Sequence, residues 1–335
     1  MDIKYMNSDL RQIVEDIFGK TASADNIVAN KARLNKLLPN YIYKYRSLNE
    51  NAVKNVLSRT LWFDTLLQMN DPYEGRHTYN HPLKTPLKEM PDFLKYLLHN
   101  NHDIIDKGQY ENILENNLTL ENILKLNLPD NTNLSHMIAA FDHIHENGKH
   151  KFHENFLKQI FICSFSEKYD SVLMWAHYSN NHSGFCIEYD LSKVPVMNHF
   201  RNFLYPVIYD SELFDISDLI EQKNDENEYS NLYMLQAIIR KSPDWAYEHE
   251  WRVIHPFGTL TKAQCLPTPK PSAILLGSNF FKELNKSGVS LALELTEYCE
   301  KEQIPVQMTK NSFQKYQLVR ESISYSEIYK RLNSV

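Results

Sequence analysis

The sequence predicts an α+β fold with a mixed, partly antiparallel sheet at its core. Three observations carry that expectation. Short runs of β-formers recur from Tyr41-Ile42-Tyr43-Lys44-Tyr45-Arg46 to Val306-Gln307-Met308. Turns join the earlier strands, and only the final two strand units alternate with helix. A doubly wound parallel sheet would need a crossover helix between every pair of strands, which this order does not supply.

Taken in order, Ile3 to about Leu38 has apolar residues at helical spacing (Leu10, Ile13, Val14, Ile17) and ends before Pro39, which predicts one or two helices. Tyr41 to Arg46 reads as a strand entering a turn at Ser47-Leu48-Asn49, followed by a helix near Asn51 to Arg59. Leu61-Trp62-Phe63 forms a short strand closed by Asn70-Asp71-Pro72. Residues 84 to about 158 carry helical periodicity and nothing strand-like. Strand character returns at Ile160 to Phe165, with a helix over Ser171 to Tyr178, a polar turn to Gly184 and strands at Phe185 to Tyr189 and Leu204 to Tyr209. An acidic linker through Asp225, Glu226 and Glu228 leads to a helix at Leu232 to Lys241 and the segment Trp245 to Ile254. A strand at Ala273 to Leu276, a helix from Asn279 to Gln303 and the strand at Val306 complete the pattern. The organisation expected is a helical appendage at 1–40, a core at 41–83 and 159–335, and a helical insertion at 84–158.

The 335 residues carry a formal charge of -6 and a pI near 6.2, which removes the broad attraction to phosphate backbones typical of nucleic-acid binders. Four scattered cysteines without a Cys-x-x-Cys pair fit reduced thiols. The first twenty residues hold no apolar run of signal-peptide length, and nowhere do eighteen apolar residues follow one another. A cytoplasmic location without membrane insertion is therefore expected.

The run Glu248-His249-Glu250-Trp251-Arg252-Val253-Ile254 alternates with period two. On a strand this puts Glu248, Glu250 and Arg252 on one face and His249, Trp251 and Val253 on the other. Paired carboxylates among Trp245, Tyr247 and Trp251 are in a setting that separates pKa values; the plain alternative is a solvated strand face with an ion pair. Trp175-Ala176-His177-Tyr178 ends a helix capped by Ser171, with Leu173, Met174 and His177 expected to pack and Trp175 and Tyr178 to face elsewhere. His177 is a candidate for proton transfer, against the commoner role of a packed histidine. Tyr43, Tyr45, Arg46 and Ser47 place rings and a planar cation at a strand end, suited to a phosphate or carboxylate, or else a surface turn. His143, His145, His150 and His153 read as a solvated face, and no metal is expected. No Gly-x-Gly-x-x-Gly, Walker, Gly-x-Ser-x-Gly or His-Glu-x-x-His motif is present.

Tyr43-Lys44-Tyr45-Arg46-Ser47, Leu61-Trp62-Phe63, Asn70-Asp71-Pro72-Tyr73, Cys163-Ser164-Phe165-Ser166, Met174-Trp175-Ala176-His177-Tyr178, Gly184-Phe185-Cys186-Ile187, Val207-Ile208-Tyr209 and Lys241-x-x-x-Trp245-x-x-Glu248-x-Glu250-Trp251-Arg252 together resemble a widespread bacterial family known only as a domain of unknown function. The core is also similar to the ADP-ribosyltransferase pattern: an Arg or His ending the first strand, an aromatic residue on a short following strand and a late strand bearing Glu-x-Glu. Arg46, Trp62-Phe63 and Glu248-x-Glu250 take those positions. The second strand carries Trp62-Phe63-Asp64 where that pattern has Ser-Thr-Ser.

The resemblance implies an enzyme acting on NAD as substrate, by transfer to a protein or nucleic-acid acceptor or by hydrolysis, as a toxin or anti-phage effector. It implies Glu250 at the ribose, Glu248 orienting the acceptor nucleophile or activating water, and Tyr45, Arg46, Ser47, Trp62, Trp175, Tyr178 and Arg252 about the nucleotide. Two rivals stand beside it: a non-catalytic nucleotide or protein sensor, and a nuclease holding Mg²⁺ through Asp71, Glu74, Glu248 and Glu250.

Overall fold

The computed structural model describes residues 8–78, 154–216, 230, 232–256, 260–282 and 284–334. The four-histidine stretch, the acidic linker and nearly all of the expected insertion lie outside the described residues. The chain divides into two compact units: 1–75, 157–212 and 228–335 in one, 76–156 and 213–227 in the other.

The larger unit opens with α1 (Ser8–Ile17) and α2 (Ala24–Leu37, capped by Ser23), as the helical spacing predicts. β1 (Tyr41–Arg46) follows, then α3 (Glu50–Leu57), capped by Asn49, and β2 (Thr60–Thr65). The smaller unit holds β3 (His77–Thr78) paired in parallel with β8 (Phe214–Asp215). Back in the larger unit come β4 (Phe161–Ser166), α4 (Val172–Tyr178), β5 (Phe185–Asp190), β6 (Leu204–Pro206) and β7 (Ile208–Tyr209).

After these the structure departs from the sequence pattern. Leu235–Ile238 makes one helical turn, and Arg240–Lys241 is β9, a two-residue strand parallel to β7, where a longer helix is expected. Glu248 closes a 3₁₀ helix (Pro243–Glu248), and β10 begins only at Glu250 and runs to Ile254. β11 (Gln264–Pro267), β12 (Ala273–Leu276), α5 (Lys286–Lys301), β13 (Val306–Asn311), β14 (Leu318–Ser322) and α6 (Tyr325–Leu332) finish the chain.

The main sheet runs β11-β2-β4-β1-β5-β12-β13-β14, with β10 on β4 and β6 on β10. Among the described residues only β12 and β13 pair in parallel within it. The mixed, mostly antiparallel α+β fold is thus as the sequence predicts. β10 covers one edge of β4 from Ile162 to Ser166. On the other edge β2 pairs at Phe161 and Ile162, and β1 touches at Ser166 alone. β1 and β2 therefore diverge along β4, and Lys44 Nζ reaches into the gap to bond the Ser164 carbonyl at 2.7 Å. Gly184 permits β5 to lie against β1 here, because a Cβ on it would come within 2.2 Å of the Arg46 carbonyl oxygen.

Candidate active site

The gap opens into a cavity of about 260 Å³ lined by Tyr43 to Arg46, Trp62, Asp64, Asn70, Glu74, Ser164, Ser166, Tyr178, Lys241, Glu248 and Glu250 among others. Its inner wall is an ionic cluster. Arg252 grips Glu250 with both arms, Nε to Oε1 at 2.8 Å and a terminal nitrogen to Oε2 at 2.9 Å, while its other terminal nitrogen bonds Glu74 Oε1 at 2.6 Å and the Ile238 carbonyl. Lys241 Nζ lies 2.7 Å from Glu248 Oε2, 3.2 Å from Glu250 Oε2 and 3.8 Å from Glu74 Oε2. All five side chains are buried, so the charges are strongly felt and each must be matched.

The backbone explains how two acids separated by one residue reach the same lysine. His249 adopts φ 44, the left-handed region, between the 3₁₀ helix and β10. That twist redirects the chain, so Glu248 arrives from a helix end and Glu250 from a strand. Ser166 Oγ fixes the join by donating to the Glu248 carbonyl at 2.6 Å, and Tyr209 OH accepts from the Glu250 amide at 2.8 Å. Tyr178 OH donates to Glu248 Oε1 and in turn accepts from Asn70 Nδ2 at 3.0 Å.

These surroundings push the acids apart. Burial raises the proton affinity of Glu250, but Arg252, Lys241 and Ser164 outweigh it and hold that carboxyl well below the usual range. Burial, joined by repulsion from Glu250, leaves Glu248 raised despite Lys241 and Tyr178. Glu74 is raised by burial against the pull of Arg252. Lys241 stays protonated: burial lowers its affinity, and Glu250, Glu74 and Glu248 more than restore it. One ionised acid thus stands beside one that exchanges its proton more readily, the separation expected of an acid–base pair.

Of the residues singled out from sequence, Tyr45, Arg46, Trp62, Tyr178, Glu248 and Glu250 line the cavity. Four are placed elsewhere among the described residues. His177 is exposed on α4, its ring 5.9 Å from that of Tyr247, because Met174 and Trp175 form the packed face and Tyr178 turns to the site. Met174 packs and Tyr178 faces elsewhere as expected, whereas Leu173 and His177 are exposed and Trp175 is buried, against the expectation. Trp175 is fully buried and donates Nε1 to the Tyr169 carbonyl at 2.7 Å, making it core rather than a ligand platform. Ser47 is not in the cavity wall, and Arg252 is wholly engaged by Glu250, Glu74 and Ile238. Glu248, Glu250 and Arg252 do not share a strand face, since only the last two are on β10. Tyr45 contributes to the cavity lining, its hydroxyl donating to the Lys168 carbonyl at 2.7 Å.

Sequence reasoning missed Lys241 and gave Glu74 only a metal-binding role. The signal was available in principle: two buried acids demand a buried cation, and Lys241 precedes Glu248 by seven residues. Among the described residues no group of three His, Cys, Asp or Glu side chains is disposed to hold a metal ion. Nor is any described helix long and apolar enough to cross a membrane.

Residues 174–253 match the family model of a protein of unknown function, DUF2971. The DUF2971 segment contains Tyr178, Lys241, Glu248, Glu250 and Arg252, the greater part of the ionic cluster and its phenol, while β1, β2 and β4 lie before it. No curated protein and no solved structure matches the chain.

Proposed function

We propose that this protein is an ADP-ribosyltransferase-like enzyme that breaks the nicotinamide–ribose bond of NAD. The observation that carries the reading is the register across three strands: Ser166 of β4 lies opposite Tyr43 of β1 on one side and Glu250 of β10 on the other. The strand between the arginine strand and the glutamate strand is therefore Ser164-Phe165-Ser166, not Trp62-Phe63-Asp64. A hydroxyl-bearing strand at this position supports the reading, with Ser166 buried and donating to the Glu248 carbonyl.

The chemistry follows from the charges. Cleavage passes through an oxocarbenium-like ribose, which a fixed carboxylate stabilises. Glu250, ionised and immobilised by Arg252, is suited to that task; Glu248 is suited to take a proton from the attacking nucleophile. Lys44 and Arg46 at the β1 end offer positive charge to a pyrophosphate, and no hydrogen bond or ion pair engages the Arg46 guanidinium among the described residues. Trp62, 46% exposed, and Tyr178 offer ring surfaces to the nicotinamide or ribose. Four free cysteines fit action in the cytosol. The nuclease reading fares worse, because Glu74, Glu248 and Glu250 are already compensated by Lys241 and Arg252.

The test is nicotinamide release from NAD by the wild type beside Glu250→Gln. Release that falls by roughly 10²–10³-fold in the variant is expected, the usual loss when a preorganised electrostatic partner is removed. Binding of NAD without turnover by the wild type would favour a sensor, and neither binding nor turnover would remove the proposal.

A further inference from the structure

Two short strands connect the first helix to the ionic cluster. In β7 and β9, Ile208 pairs with Arg240 and Tyr209 with Lys241; the Ile208 amide donates to the Ile239 carbonyl at 2.6 Å and the Asp210 amide to the Lys241 carbonyl at 3.0 Å. Successive side chains on extended backbone point to opposite sides. Tyr209 and Lys241 face the acids, where Tyr209 OH meets the Glu250 amide and Lys241 Nζ meets both carboxylates. Asp210 and Arg240 face α1.

α1 answers both of them. Glu15 Oε1 lies 2.9 Å from Arg240 and 3.1 Å from Arg11 Nε, and a terminal nitrogen of Arg11 reaches Asp210 Oδ2 at 2.6 Å. Arg240 also donates to Gln236 Oε1 at 2.6 Å, and Gln236 Nε2 donates to the Phe18 carbonyl just past the end of α1 at 2.9 Å. Ile13, Val14, Ile17 and Phe18 are buried and seat the helix. A lone exposed ion pair adds little, but the Arg240 side chain is only 13% exposed, so its charge has to be met.

We infer that Glu15, with Arg11 and Arg240, is a positioning residue for the acid pair: α1 fixes β9 so that Lys241 stands between Glu248 and Glu250. The effect on turnover rests on the proposed NAD-cleaving reading; the coupling of α1 to the acids does not. Glu248 faces Lys241 on β9, Glu250 on β10, Tyr178 on α4, Tyr209 on β7 and its neighbour Tyr247. Lys241 supplies the positive charge in that set, so loosening β9 raises the proton affinity of Glu248 further. A base that must be ionised then loses activity at a higher pH.

The experiment compares the full-length wild type with Glu15→Gln and Glu15→Asp. Carbon-13 NMR of carboxyl-labelled glutamate follows the titration of Glu248, assigned with Glu248→Gln, and nicotinamide release from NAD gives kcat, KM and the acid limb of the pH profile. Expected in Glu15→Gln are a Glu248 midpoint and an acid limb both moved to higher pH. There kcat falls by roughly 2–30-fold with KM unchanged, the range over which residues without ligand contact alter coupling, and Glu15→Asp returns towards wild type. Should Glu15→Gln not fold, Arg11→Gln, which keeps the Glu15–Arg240 pair, decides on the same measurements with a smaller displacement in the same direction. A Glu248 midpoint that stays in place in the folded variant overturns the inference whatever the turnover. A displaced midpoint in a protein that releases no nicotinamide upholds the coupling and overturns the NAD reading.

Discussion

Replacement of Lys241 by methionine tests the cluster directly. With all groups ionised, Glu74, Glu248 and Glu250 against Lys241 and Arg252 sum to one negative charge; the substitution makes it two in a buried space. It also strips Glu248 Oε2 of its donor at 2.7 Å. Removing one partner of a buried ion pair costs about 3–5 kcal/mol, because the remaining charge is left uncompensated. With an unfolding entropy near 2.1 cal/mol/K per residue, 335 residues give roughly 0.7 kcal/mol/K, so Tm falls by about 4–7 °C. Adding Glu248→Gln to Lys241→Met returns the net charge to minus one, and the double variant is expected to recover a substantial part of the loss. Urea and thermal unfolding followed by circular dichroism measure all four members of the cycle. If Lys241→Met costs less than about 1 kcal/mol, or the two substitutions simply add, the residues do not act as one electrostatic unit.

The acids differ in sign with pH. Glu250, held below its ordinary value near 4.5, contributes stability that is present above that value and lost as pH falls beneath it, so the wild type's advantage over Glu250→Gln shrinks on acidification. Glu248 is raised, so the folded state binds its proton more tightly; stability declines as pH climbs above 4.5 through the folded value, and Glu248→Gln gains on the wild type over that window in pH-dependent urea titrations. Trp62→Ala is expected to raise KM for NAD by about 2–10-fold, the loss of roughly 0.5–1.5 kcal/mol of ring contact, with Tm unmoved. Trp175→Ala instead costs roughly 3–5 kcal/mol of stability in the same unfolding assay, since that ring is core. At His249, Val is expected to destabilise by about 1–3 kcal/mol while Asn is tolerated, because φ 44 excludes β-branched side chains; equal stability of the two variants would contradict this.

The fold was legible where local signals agree with the tertiary result. Ser171 caps the helix it precedes, and the β-formers of β1, β4 and β5 pair as strands. It was illegible where context decides. Arg240–Lys241 reads as the end of a helix, yet bonding to β7 from the Ile239 and Lys241 carbonyls draws it into a strand. β14 and α6, unread in the sequence, form around Leu318 in the one and Ile328 and Leu332 in the other, few buried residues in largely polar runs.

The site shows why a correct convergence came with a wrong geometry. Alternation along Glu248 to Ile254 presumes one extended strand, and on that presumption Glu248, Glu250 and Arg252 face one way. Yet nothing in period two anticipates a left-handed residue, which exchanges the strand for a helix end at the very position between the two acids. The acids still meet because the requirement is electrostatic: a buried carboxylate has to find a cation, and Lys241 is shared by both while Arg252 is committed to Glu250 and Glu74. The asymmetry in that sharing accompanies opposite shifts of the two carboxyls, Glu248 raised and Glu250 lowered. The turn at His249 brings Glu248 to Lys241 and the Tyr178 phenol, while Arg252 on the strand holds Glu250, and the two carboxyls shift in opposite directions.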